Sequence, residues 1–300
     1  MAHAHRQTAT FRSRRELGVV LVLTGGVMLV EAGGAWWTGS LALAADAGHM
    51  LTDVGAVGLA LFAAWIAARP PTPAKTYGYY RVEILAALVN ALVLLVVAGW
   101  ILLEAWERFW TPREILGGSM LLVGALGLVV NLISVWLLHR GAAGSLNVRA
   151  AYLEVVSDAL ASVGVVVAAV VVTLTGWTPI DPLVSAGIAL FIVPRTWRLL
   201  TQAVNILLEG VPSHLRLEEI EQAMQRVTGV RRVHDLHVWT LTSGREAMSA
   251  HVVVDDPGQS DRLLDALHAV LHARFGIDHT TIQLERDPAV VLRIKGPDAV

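Results

Sequence analysis

The chain has 300 residues, of which 55% are hydrophobic and 16% are charged, with a mean hydropathy of +0.58. A soluble domain has about a quarter of its residues charged, so this composition excludes an ordinary soluble protein and indicates one that crosses a membrane several times. The net charge of -2, without Arg/Lys-rich blocks, gives no support to nucleic-acid binding, and the absence of cysteine excludes disulfides and thiolate metal ligands.

Six apolar runs follow a polar, basic N-terminal tail at 1–16. They occupy approximately 17–37, 41–68, 82–103, 115–138, 150–174 and 182–208. Each run is long enough to cross ~30 Å of hydrocarbon, so we predict an α-helical membrane protein with a bundle of six transmembrane helices over 17–210. The first run ends without a small-residue cleavage motif, which favours a retained span over a signal peptide.

Basic residues in the span connections are unevenly distributed between the two predicted sides of the membrane. One side receives the N-terminal tail with Arg69, Lys75, Arg81, Arg140, Arg149, Arg195 and Arg198, and the other side receives Arg108 and Arg113. Short loops rich in Lys and Arg stay in the cytoplasm, so both termini are predicted to be cytoplasmic.

Two of the apolar runs carry acidic and histidine side chains at helical spacing. The second run, SLALAADAGHMLTDV, places His49 and Asp53 four residues apart, and the fifth, YLEVVSDALAS, does the same for Glu154 and Asp158. Residues four apart lie on one face of a helix. Ionisable residues inside a span are costly and indicate function. Two such faces opposite each other would form a divalent-cation site of one imidazole and three carboxylates.

Other polar residues in the spans have more than one explanation. Glu31 could take part in proton movement or bond a neighbouring helix, and Asp46 could assist the ligands or stand at the outer mouth of the pathway. Asn131 could line the ion path, but a hydrogen bond between helices explains it more simply. Asp181, just before Pro182, is expected to cap the N-terminus of the sixth span.

The composition changes after Pro212, where a small soluble domain is predicted over 211–288, followed by a C-terminal tail at 289–300. Its pattern gives an amphipathic helix at 213–226, strands at 231–241 and 247–254, a helix at 260–275 and a strand at 279–285. This α-β-β-α-β order predicts an α+β fold.

Several histidines lie on the predicted strands of this domain. Strict alternation along VHDLHVW would place His234 and His237 on opposite faces of the first strand. His251 lies on the neighbouring strand, and His279 and Glu285 lie at the two ends of the last one. Each histidine alone is compatible with surface or core packing, whereas the group is equally compatible with a second metal site.

Long motifs in both parts of the chain resemble those of the cation diffusion facilitators, a family of divalent-metal/proton antiporters. They are SLALAADAGHMLTD, YGYYRVEILAALVN, SLNVRAAYLEVVSDALASVGV, DPLVS, VHDLHVWTLTSG and IDHTTIQLE. Because they occur in order from about residue 17 to 286 on the predicted elements, the similarity is specific.

The resemblance implies a homodimer in the bacterial inner (plasma) membrane, with a cytoplasmic ferredoxin-like domain. It implies a transport site between the second and fifth helices, formed by His49, Asp53, Glu154 and Asp158, for Zn²⁺ or for Cd²⁺ or Co²⁺. In the cytoplasmic domain it implies a sensing or stabilising metal site at His234, His251, His279 and Glu285. The expected partners are a second copy of the chain, the lipid bilayer, divalent metal ions and protons, with no organic cofactor and no nucleic acid.

Three features depart from the family pattern. Glu154 occupies a position that is often His in zinc transporters, so the metal-loaded site would carry a net charge of -1; we hypothesise that it keeps one proton or recruits a nearby cation. The loop RPPTPAK has no His or Asp, so no extra loop metal site is expected. The loop from His139 to Asn147 is short and lacks a His-rich insert.

The function predicted from these features is metal efflux by proton-coupled antiport with alternating access. A membrane-anchored metal-sensing scaffold without transport is the alternative, and in that case only the soluble domain's ligands would matter. A membrane metalloenzyme is disfavoured, because the sequence has no H-E-x-x-H motif and four protein ligands leave no open position for a catalytic water.

Overall fold

The structure is a computed structural model that describes residues 2–142, 146–242, 244–255 and 260–286. Its first part consists of six long helices: α1 (Ala2–Thr38), α2 (Leu41–Ala67), α3 (Arg81–Trp110), α4 (Gly117–Ala142), α5 (Leu146–Thr175) and α6 (Ile180–Leu207). They correspond in order to the six predicted spans. Because α1 begins at Ala2, it continues through the residues predicted as a tail.

Five segments of these helices are long and apolar enough to cross a membrane, judged by length and composition within the described residues. They are Gly18–Thr38, Arg81–Trp110, Gly117–His139, Ala151–Thr175 and Ile180–Leu207. The remaining long helix, α2, has 27 residues and carries the predicted ligands of the second span. The helical membrane architecture predicted from the hydropathy pattern is thus confirmed.

Glycines on α1 and α4 let neighbouring helices approach closely. A Cβ at Gly34 of α1 would lie 2.7 Å from the Val123 side chain of α4, and one at Gly124 would lie 2.9 Å from the Val165 side chain of α5. Helices in membranes associate largely through such packing, because lipid is as apolar as their side chains. The α4 helix is therefore packed tightly against both α1 and α5.

The second part of the chain forms a small α+β domain of five elements. These are α7 (Leu217–Gln225), β1 (Val230–Thr242), β2 (Arg245–Val254), α8 (Ser260–Phe275) and β3 (His279–Glu285). The sheet order is β1-β2-β3, with β1 antiparallel and β3 parallel to β2. Apolar residues of both helices, such as Ile220 and Leu267, pack on the sheet in one core with Val252. The predicted α-β-β-α-β order is confirmed.

The chain separates into two compact units, and the connection between α2 and α3 belongs to the same unit as the small domain. One unit contains residues 1–62 and 86–200, and the other contains 63–85 and the chain from 201 onward. Within the second unit, Thr242 donates a hydrogen bond to Glu83, and the Arg245 guanidinium donates one to the Tyr80 hydroxyl. The α2–α3 connection is thereby fixed to the β1–β2 hairpin.

Candidate metal centre

The start of α2, which carries two of the predicted ligands, is fixed by Asp181 of α6. The Asp181 carboxylate accepts hydrogen bonds from the backbone N–H of Leu41 at 2.7 Å and of Ala42 at 3.2 Å, and from the Ser40 hydroxyl at 2.6 Å. Free N–H groups at a helix start favour an anionic acceptor. Asp181 is therefore not the cap of its own helix, as predicted, but caps α2 from inside α6.

The four predicted membrane ligands meet around the His49 imidazole. Its Nε2 lies 3.6 Å from Asp53 Oδ2, 3.9 Å from Glu154 Oε1 and 3.7 Å from Asp158 Oδ1. His49 is 8% exposed and Asp158 is buried, while Asp53 and Glu154 are partly exposed. The helix spacing within α2 and α5 supplies each pair, and the packing of the first unit brings the two pairs together.

These distances suit a shared cation. Ligand atoms about 2.0–2.1 Å from a tetrahedral zinc are separated from one another by roughly 3.4 Å. The separations from His49 Nε2 are slightly longer, and the donor atoms of His49, Asp53 and Glu154 lie within 4.8 Å of one another. A small inward movement would bring these three around a shared cation, with Asp158 Oδ1 3.7 Å from His49 Nε2 beside them. One imidazole with three carboxylates is a donor set that zinc accepts.

A basic residue that the sequence analysis did not connect with the site contacts one of its ligands. The Arg195 guanidinium on α6 reaches both oxygens of Glu154, with Nη1 2.8 Å from Oε1 and Nη2 2.6 Å from Oε2. A two-point pair of this kind fixes the carboxylate geometry. The only sequence signal was a basic residue within the sixth span, which the positive-inside pattern had assigned to the cytoplasmic side.

Arg195 supplies the cation that the charge count calls for. The neutral imidazole and three carboxylates sum to -3, a divalent metal brings the total to -1, and the guanidinium brings it to zero. Arg195 is therefore a nearby cation of the kind that one of the two hypotheses for compensating Glu154 calls for. Arg195 also occupies the oxygens that Glu154 would offer to a metal, so the two cations compete for one carboxylate.

Asp46 and Glu31 lie outside the group of side chains around His49. Asp46 accepts a hydrogen bond from Ser162 Oγ at 3.2 Å, and Ser162 in turn accepts one from the Asn131 amide at 3.0 Å. Asn131 therefore bonds a neighbouring helix, as predicted, and through Ser162 it is connected with Asp46. Glu31 is fully buried on α1.

A second group of possible ligands lies on the small domain's sheet. Glu285 Oε2 is 3.1 Å from His234 Nε2, and Glu285 Oε1 is 2.8 Å from His251 Nδ1. One donor atom from each of the three residues lies within 4.8 Å of the others. Two imidazoles and a carboxylate on β1, β2 and β3 fit zinc, since three protein ligands leave a fourth position for water or another side chain.

The predicted alternation along β1 is wrong between His234 and His237. His234 pairs with His251 and His237 pairs with Ser249, so two residues of β1 face one residue of β2 and β1 carries one extra residue. Asp235 adopts a positive φ of 50° at this irregularity. A β-bulge inserts such a residue and resets the alternation, so His234 and His237 lie on the same face of the sheet. His237 contacts Asp235, with Nε2 3.1 Å from Oδ1.

The structure does not bring His279 to this group of three. His279 is the first residue of β3 and pairs with Ala247, whereas Glu285 is the last and pairs with Val253. At about 3.3 Å per residue, the length of the strand separates them by roughly 20 Å. The His279 ring instead lies against Tyr77, with ring centroids 5.5 Å apart.

Comparisons with known proteins cover nearly the whole chain. The family model of the cation efflux transmembrane domain matches residues 17–208, and the family model of the cation efflux protein cytoplasmic domain matches residues 212–287. The zinc transporter ZitB of Shigella flexneri is 45% identical over 294 residues, which cover 96% of this chain and 94% of the relative.

Two further relatives are similar over comparable lengths. The metal cation efflux system protein CzcD of Cupriavidus metallidurans is 45% identical over 289 residues, covering 96% of this chain and 92% of the relative. The cadmium, cobalt and zinc/H(+)-K(+) antiporter of Bacillus subtilis is 37% identical over 292 residues, covering 96% of this chain and 93% of the relative.

Proposed function

The chain belongs to the cation efflux family, the cation diffusion facilitators, and on that premise we propose that it exports Zn²⁺ in exchange for protons. The observation that carries this proposal is that Asp53, Glu154 and Asp158 each place a carboxylate oxygen within 3.9 Å of His49 Nε2, between α2 and α5. The names of the relatives support zinc as cargo, with cadmium and cobalt as further substrates.

Exchange of metal for protons follows from the chemistry of the ligands. His49 must be neutral and the carboxylates ionised to hold a metal, so metal binding expels protons and protonation expels the metal. If the site opens to the cytoplasm when it is deprotonated and to the other side when protons can enter, proton influx drives metal outward. Arg195 contributes by holding Glu154 in the metal-free site and by releasing it when the metal arrives.

The small domain supports a regulatory role beside transport. His234, His251 and Glu285 belong to three different strands, so zinc held by them would cross-link β1, β2 and β3. We place this domain in the cytoplasm, where it responds to the metal that the membrane site exports. The protein functions as a homodimer in the inner membrane with both termini cytoplasmic, in agreement with the positive-inside pattern.

The direct test is zinc flux into proteoliposomes under an imposed pH gradient. The natural protein should move zinc with the gradient, and Asp158→Ala should abolish flux because the buried ligand is lost. Ser157→Ala is the matched control: its hydroxyl bonds the Leu153 carbonyl of its own helix, so flux should persist. Absence of flux of zinc, cadmium and cobalt by the natural protein would refute the transport proposal.

The same assay separates transport from a metal-sensing scaffold. A scaffold would show no metal flux in liposomes, and its function would depend on His234 and His251 but not on Asp53 or Asp158. Metal flux that requires Asp53 and Asp158 excludes it.

A further inference from the structure

Glu31 of α1 is a buried carboxylate that the metal site does not use. It is 0% exposed, and neither of its oxygens has a hydrogen-bond partner among the described residues. A Cβ at Gly127 of α4 would collide with the Glu31 carboxylate, so the glycine makes room for it against the α4 backbone. A carboxylate that served only to bond a neighbouring helix would accept a hydrogen bond from a donor on that helix. Neither carboxylate oxygen of Glu31 accepts one from the described residues.

Other buried polar groups continue from Glu31 across three helices. Asn131 lies one turn along α4 from Gly127 and donates to Ser162 of α5, which donates to Asp46 of α2. Asp46 Oδ1 and Asn131 Oδ1 have no partner among the described residues, and both residues are 0% exposed. Buried polar groups are normally satisfied, so this concentration of unused oxygens points to a ligand.

This polar group adjoins the metal site without sharing its ligands. Ser162 is four residues after Asp158 on α5, and Asp46 is three residues before His49 on α2, so both lie one turn from a ligand on the same helix face. On α2, Asp46 is displaced from His49 towards the end of the helix at Leu41. That end is the outer one in the predicted orientation, which is the side from which protons would enter.

We propose that Glu31, together with Asp46, Asn131 and Ser162, forms a proton-binding site separate from the metal ligands, which takes up the incoming proton before it passes to those ligands in exchange for the metal. The charged groups that act on Glu31 are Asp46 from α2 and Asp158 from α5, while α4 presents Gly127 and Asn131. Both of these groups are anionic, which suits a proton. A buried acidic group within spans is the usual element of a proton relay.

This inference rests on the proposed antiport, and the test is designed to separate the two. Full-length protein in proteoliposomes is assayed in two ways: zinc flux driven by a pH gradient, and zinc–zinc exchange at equal pH on both sides. Exchange needs the metal site and its change of access but no net proton transport. Asp158→Ala should lose both activities, whereas Glu31→Gln should keep exchange and zinc affinity.

We expect Glu31→Gln to lower gradient-driven flux roughly a hundredfold, the low end of what a positioned proton-transfer group contributes. Glu104→Gln is the matched control, because that carboxylate pairs with Arg108 and Arg113 on the same unit and should leave coupling intact. Gradient-driven flux by Glu31→Gln at the natural level would overturn the proton site while leaving antiport established.

A second variant tests whether the effect of Glu31→Gln is a folding defect. Asp46→Asn keeps a side-chain oxygen for Ser162 and should likewise lose gradient-driven flux while keeping exchange. If both Glu31→Gln and Asp46→Asn lose exchange together with coupling, the residues are structural and the proposal is overturned. If the natural protein itself shows no zinc flux, the proposed function fails first.

Discussion

Arg195 and Glu154, on neighbouring helices and 41 residues apart, form a two-point ion pair at the edge of the metal site. The pair places a permanent positive charge beside one of the four predicted metal ligands. In the proposed transport site, Arg195 would determine whether Glu154 acts as a metal ligand, as a counterion or as each in turn. Its removal separates these roles.

Replacing Arg195 by Gln should tighten zinc binding and slow zinc release. The variant removes both a competitor for Glu154 and a positive charge near the metal. Because the Arg195 side chain is 61% exposed, the effect should be modest, about 1 kcal/mol or roughly fivefold in affinity. Zinc titration at fixed pH measures the affinity, and proteoliposome flux measures the release. Arg198→Gln removes the same charge one turn further along α6 and should change neither the zinc affinity nor the rate of zinc release. Weaker zinc binding by Arg195→Gln would contradict the competition between Arg195 and zinc for Glu154.

Glu154→His should weaken zinc binding as long as Arg195 is present. Two neutral imidazoles, two carboxylates and zinc sum to zero, so the guanidinium leaves a net charge of +1. We expect about a tenfold loss of affinity, or 1.4 kcal/mol, and recovery in the double variant Glu154→His, Arg195→Gln. Calorimetry in buffers of different ionisation enthalpy gives both the affinity and the protons released per zinc. Natural affinity in Glu154→His alone would show that Arg195 does not balance the site.

Asp181→Ala should destabilise the membrane domain and loosen the ligand-bearing helix. The variant leaves the N–H groups of Leu41 and Ala42 and the Ser40 hydroxyl without their acceptor. The loss of a helix cap costs about 1–2 kcal/mol, so the melting temperature in detergent should fall and zinc affinity should weaken with it. Ser185→Ala is the control, since that hydroxyl bonds only the Asp181 carbonyl among the hydrogen bonds described. An unchanged melting temperature would rule out a stabilising role for the cap.

The small domain's metal site should depend on His251 and not on His279. In full-length protein carrying Asp158→Ala, so that the membrane site is inactive, bound zinc per chain is counted by elemental analysis after dialysis. His251→Ala should lower the count, because His251 and His234 share Glu285. His279→Ala should leave it unchanged, because that ring lies against Tyr77 at the far end of β3. An unchanged zinc count for His251→Ala together with a lower count for His279→Ala would show that His279 is the ligand instead.

The sequence alone determined the features that depend on local order along the chain. Apolar runs set the six helices because every backbone polar group in lipid must be satisfied within a helix. The four-residue spacing of His49 with Asp53, and of Glu154 with Asp158, placed each pair on one face, since a helix has ~3.6 residues per turn. Alternation and turn residues similarly gave the order of the small domain's elements.

Only the tertiary structure decided which side chains from distant segments meet. The Arg195–Glu154 pair and the cap of α2 by Asp181 join residues far apart in the chain, and no local sequence pattern predicts either contact. The bulge at Asp235 moved His237 to the face of His234, because one inserted residue reverses every side chain that follows it. Distances across packed helices and strand register depend on the whole fold, and they decide which charges of this protein act on one another.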